Sequence, residues 1–95
     1  MTMQPYKGYF IDGTALLVHP VSSHWYVSGS VLMQGRSTSL VEIGRFQLQQ
    51  FTVSMKELAE WFGLEIARIA VDELLSAKNR LVAELNRQIP EIFSI

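Results

Sequence analysis

The chain contains no cysteine, which excludes disulfides, thiolate nucleophiles and zinc sites built on sulfur. That absence accords with a reducing cytoplasm, and a cytoplasmic location is the expectation. Net charge is scarce too. Eight Lys and Arg against nine Asp and Glu leave a formal −1, providing neither a basic footprint for nucleic acid or an anionic membrane nor an acidic excess for cations. No apolar run can span a bilayer: the densest region, Leu64–Leu75, is interrupted by Glu65, Arg68, Asp72 and Glu73, whereas a spanning helix needs ~20 mostly apolar residues. The N-terminal Met1–Tyr9 is polar and aromatic instead of a basic end followed by an apolar run, so the mature chain is expected to begin at or near Met1. The glycines form neither GxxxxGK[ST] nor GxGxxG, and read as turns and bulges.

What is present points to one domain with one core: 95 residues, 48% of them hydrophobic and 11% aromatic. Ser54-Met55-Lys56-Glu57 fits a capping box, with Val53 and Leu58 placed as a hydrophobic staple, and divides the chain into halves of different periodicity. Upstream, apolar residues alternate as in strands. Tyr6–Ile11 ends at Asp12-Gly13, a dipeptide suited to a type I′ hairpin, and Thr14–Val18 reads as a returning strand or as the first one continued past a bulge. His19-Pro20 stops it. Trp25–Met33 places Trp25, Val27, Val31 and Met33 on one face, expected to be the core face. Gln34–Ser37 is a turn into a strand at Ser39–Leu48, where the apolar parity shifts from Val41 and Ile43 to Phe46 and Leu48, predicting a β-bulge at Gly44-Arg45.

Downstream, Met55, Leu58, Ala59, Phe62, Ile66, Ile69, Ala70, Leu74, Ala77, Leu81 and Leu85 recur at helical steps, and no proline intervenes before Pro90. An unbroken helix to Gln88 would be ~50 Å long. A compact domain of this size is only ~26 Å across. The helix is therefore expected either to break near Ser76–Arg80 or to leave the domain and pack on another subunit. Leu64–Leu75 is apolar around more of the helix than one sheet can cover. A second copy would cover the other side, or Ile89–Ile95 would fold back over it.

Candidate chemistry is thin. His19 and His24 flank Pro20–Ser23, and with Asp12 they could be imagined as ligands or as activators of Ser22 or Ser23, but no third ligand or oriented base accompanies them. They read as ordinary loop histidines, with no catalytic residue, metal or cofactor expected. The rings Tyr6, Tyr9, Phe10, Trp25 and Tyr26 accompany only Lys7 before Arg36, which is weak for a single-strand-binding sheet. Trp61 and Phe62 point ~100° apart on the helix, so one enters the core and the other lies at its edge or in an interface.

The Tyr6-Lys7-Gly8-Tyr9-Phe10-Ile11 opening, Trp25-x-Val27 in a later strand and the Thr52/Ser54 helix start together resemble a set of small bacterial and prophage-borne β-β-β-α proteins over about residues 6–73. Their arrangement is similar to parts of double-stranded-RNA-binding and HicB-antitoxin-like folds, which implies nucleic-acid or regulatory binding. This chain departs from the RNA-binding module in placing Lys56 among Glu57, Glu60 and Glu65 where a basic cluster is expected. The expectation is one α+β domain over residues 1–95: an antiparallel sheet of three to four strands, then a long C-terminal helix on one face, with 77–95 extending as a dimerisation helix and tail. Its function is expected to be that of a small interaction or regulatory module with an unspecified protein partner. The expected homodimer interface is Val71, Leu74, Leu75, Leu81, Leu85 and Phe93. The alternative is a weak nucleic-acid binder using Lys7, Arg36 and Arg45.

Overall fold

The computed structural model describes residues 2–36 and 39–88. In chain order they form β1 (Thr2–Tyr6), β2 (Tyr9–Leu17), β3 (Trp25–Gln34), β4 (Leu40–Val53) and α1 (Lys56–Gln88). The strands make one antiparallel sheet in the order β1-β2-β3-β4. This is the α+β arrangement expected, with four strands. Ile89–Ile95, including Phe93, and the Ser37 end of the expected turn lie outside the described residues.

The first hairpin turns at Lys7-Gly8, not at Asp12-Gly13. Lys7 and Gly8 both have positive φ, 50° and 85°, the pattern of a type I′ two-residue loop between Tyr6 and Tyr9. Asp12 and Gly13 lie inside β2, which pairs without a break with β1 and with β3. Gly13 serves a different purpose there. It is paired with Gly29 of β3, and Gly63 of α1 crosses above them. A Cβ on Gly63 would lie 2.9 Å from Gly13 Cα and closer still to the Ser28 carbonyl oxygen, and one on Gly13 would lie 2.7 Å from the Leu64 nitrogen. Gly29 meets the Gly63 carbonyl in the same way. These glycines, read from the sequence as turns and bulges, are the point where helix and sheet backbones touch.

Apolar clusters lie on either side of the crossing. Toward the C-terminal side of Gly63, Ile11, Val31, Leu64, Ala67 and Val71 are buried together, with Tyr6, Tyr9, Ala70 and Leu75 packed against them. Toward the start of α1, Val27, Val53 and Ala59 form a second cluster beside Ala15, Trp25, Phe62 and Ile66. The core face expected for β3 is thus present at Val27 and Val31, whereas Met33 is exposed near the end of the strand.

The β-bulge exists one residue from its expected place. Gly44 pairs with Val31 and Glu42 with Leu32, leaving Ile43 as the extra residue. A second irregularity loops out Gln49–Phe51 between the pairs Val27/Leu48 and Tyr26/Thr52. Because of the first bulge Val41, before it, and Gly44, Phe46 and Leu48, after it, share the helix-side face.

The helix starts where the capping signal indicates, but with a different cap. The first helical bond runs from the Ala59 amide to the Met55 carbonyl, 3.1 Å, so Met55 takes the N-cap position and Ser54 stands one residue outside. Methionine has no side-chain acceptor for the next helical amides. Met55→Asp should stabilise the protein by about 1 kcal/mol, whereas Ser54→Ala should be nearly neutral. Urea denaturation of both variants measures this, and a larger loss from Ser54→Ala would return the cap to Ser54.

α1 does not break near Ser76–Arg80. Ser, Lys, Asn and Arg are all acceptable on an exposed helix, and Glu65–Arg68 and Glu84–Arg87 pair one turn apart along it. The resulting molecule is elongated, 61 × 31 × 16 Å, with a radius of gyration of 17.3 Å, against ~12 Å for a compact domain of this length.

Candidate interaction groove

Because α1 crosses β2 and β3 and only grazes β4, the helix-side face of β4 is left uncovered among the described residues. Phe46, opposite Gly29, and Leu48, opposite Val27, are 41% and 43% exposed. The facing flank of the helix presents Ile69, 59% exposed, and Leu74, 41% exposed. Between them lies a groove of about 830 Å³ lined by Val31, Ile43, Gly44, Phe46, Ile66, Ile69, Ala70, Glu73, Leu74, Ala77 and Arg80. Its walls are apolar apart from Glu73 and Arg80. At the helix N-terminal end Phe62 meets Phe51 edge-on at 5.6 Å and Trp61 at 5.2 Å. Phe62 is packed against the core and Trp61 is exposed, the division expected from their spacing.

The expected interface residues fall in three environments. Val71 is fully buried against this chain's own sheet, and Leu75 packs beside it. Leu74 lines the groove. Leu81 and the half-buried Leu85 lie on the last turns of α1. Ile43, Phe46 and Ile69 were not singled out as interface residues from the sequence, although two signals were present: surplus apolar parity on β4, and a helix apolar on more than one side.

The cations singled out for nucleic acid do not form a patch. Lys7 Nζ contacts Asp72 Oδ1 at 2.8 Å, and Arg45 contacts Glu42 at 3.1 Å; Arg36 is exposed in the β3–β4 connection. Near the histidines, the Val18 amide donates to the His24 carbonyl at 3.1 Å, and the Ser22 hydroxyl accepts from the His24 amide at 3.0 Å. The loop is held by its backbone, with Ser22 serving the turn. Among the described residues no three His, Asp or Glu side chains cluster to hold a metal, and no helix is long and apolar enough to cross a membrane.

Lys7 and Tyr6 also fasten the first hairpin to the helix. The Tyr6 hydroxyl donates to both Asp72 carboxylate oxygens, at 2.9 and 3.1 Å, and Lys7 and Arg68 approach the Tyr6 ring at 5.2 and 5.5 Å. The hydrogen bond from Lys7, then that from Tyr6, holds the Asp72 carboxyl below its ordinary 3.8. The bond to Asp72 raises Lys7 above 10.5. A depressed carboxyl contributes stability above its unfolded value and loses it as pH falls through its folded value; a raised ammonium contributes below 10.5 and loses it as pH rises through its folded value. Asp72→Asn should therefore be less stable than the native chain at neutral pH and should lose less stability on acidification below 3.8. Urea titrations across that interval measure it, and parallel losses in the two proteins would contradict the assignment.

Compared with known proteins, the chain matches no family model, no curated protein and no solved structure.

Proposed function

We propose that this chain is a small, non-catalytic interaction or regulatory module that acts as a homodimer, and that the groove between β4 and α1 is its working surface. The observation that carries this reading is the groove with its continuation along the helix: Ile43, Phe46, Ile69, Leu74 and Leu81 are all more than a third exposed in one chain. Each large apolar side chain left in water forfeits about 1.5–3 kcal/mol, and apolar surface this continuous on a folded chain marks an interaction site. A closed two-fold pairing would cover the same surface on both copies.

The edges of the sheet support face-to-helix contact over sheet extension. β1 is five residues long and contains Pro5, which lacks a ladder donor, and β4 is interrupted at Ile43 and at Gln49–Phe51. The nucleic-acid alternative draws less support, because Lys7 and Arg45 are already ion-paired and affinity for phosphates scales with the number neutralised. Light scattering at tens of micromolar tests the proposal. The expected mass is twice the 10.8 kDa of one chain, and a single-chain mass would overturn it.

A further inference from the structure

The groove and the end of α1 belong together. Asp72 is bonded to Tyr6 and Lys7 at the β1–β2 turn, Leu75 one turn later still packs on the core, and the residues from 76 to 88 run ~18 Å farther. From Ser76 to Gln88 every residue is exposed except the half-buried Leu85, although Leu81, Val82 and Leu85 make this segment apolar on one side. Among the described residues, each chain thus carries an unfilled groove and an uncovered amphipathic helix end.

We propose that two copies exchange these parts: the helix ends pair antiparallel about a two-fold axis passing between Ala77 and Lys78, and residues 78–88 of each chain lie in the groove of the other. This names the occupant and its register, and it rests on the homodimer proposed above. The register follows from the sequence. Reflection about the 77/78 midpoint sets Leu74 against the partner's Leu81 and Ala70 against the partner's Leu85, a small residue opposite a large one. It carries the helical wall of the groove from Ala70 to Arg80 onto residues 75–85 of the partner. The only charged residues on the wall, Glu73 and Arg80, come within ~3 Å along the axis of the partner's Arg80 and Glu73, inside the reach of long side chains. A parallel pairing would leave both helix ends beyond both sheets and fill neither groove.

Because the chain has no cysteine, introduced thiols report the register directly. Ala70→Cys and Leu85→Cys proteins, each checked for native helicity by circular dichroism, are mixed and mildly oxidised. The mixture should give a covalent heterodimer in high yield, while each variant alone should give little, since neither residue lies on the axis. Arg80→Glu should weaken association several-fold, and Glu73→Arg combined with it should restore it. A dimer by light scattering in which Leu85→Cys links to itself, or in which the mixture stays uncrosslinked, overturns the antiparallel exchange and leaves the homodimer standing. A single-chain mass overturns both. If that monomer binds more hydrophobic dye as Phe93→Asp, the groove belongs to the chain's own last residues.

Discussion

Gly63→Ala lowers stability by roughly 2 kcal/mol or more, although helix propensity by itself would credit the change with about 1 kcal/mol of gain. The sign is decided by what the added methyl meets. At Gly63 it would fall 2.9 Å from Gly13 Cα and nearer still to the Ser28 carbonyl, both backbone atoms of paired strands that cannot rotate aside. The helix must rise off the sheet, which loosens Ile11, Val31 and Val71 on one side and Val27 on the other. A domain of this size has only about 5–15 kcal/mol of stability in total. Gly63→Val, bulkier and a poorer helix former, should leave little folded protein at ambient temperature. Urea denaturation followed by circular dichroism gives the answer, and a more stable Gly63→Ala protein would show that helix and sheet are not in backbone contact.

The second large effect concerns association. Leu74→Asp combined with Leu81→Asp should convert the proposed dimer to a folded monomer. Both positions are substantially exposed in one chain, 41% and 59%, so the carboxylates cost the isolated chain little. In the dimer they would be buried without partners, at a cost of several kcal/mol for each ion, which exceeds what an interface of this kind retains as surplus. Light scattering should report a mass near 10.8 kDa with an unchanged circular dichroism spectrum. A doubly substituted protein that keeps its dimeric mass would place the interface elsewhere on the surface.

Much of the architecture was legible because periodicity reports burial. The alternation of Trp25–Met33 gave the central strand and two of its core residues, and the parity slip after Ile43 located a bulge to within one residue. One failure comes from a local signal overruled by a distant contact. Asp12-Gly13 reads as a hairpin because the dipeptide favours one, yet Gly13 is glycine so that α1 can cross it, a requirement set by Gly63 fifty residues later in the chain. The true turn at Lys7-Gly8 was hidden inside a run of aromatic residues that looked like an uninterrupted strand. Ser54 carried the correct cap chemistry and lies one residue before the cap. Of the interface residues, Val71 belonged to an apolar stripe that periodicity cannot divide between a chain's own sheet and another surface. Its neighbour Leu74 falls on the other side of that division only because α1 sits over β2 and β3, leaving β4 uncovered.

The crossing at Gly63 also makes the helix a lever with a short arm and a long one. Seven residues precede the fulcrum in α1 and twenty-five follow it, so the long arm measures ~37 Å and a 10° swing moves its tip by ~6 Å. Asp72, tied to the first hairpin by Tyr6 and Lys7, stands only ~14 Å from the fulcrum. Slack at that tether is multiplied nearly threefold at Gln88. Releasing Asp72 therefore shows least at the glycine crossing and most at the Gln88 end of the helix, where the proposed partner is held.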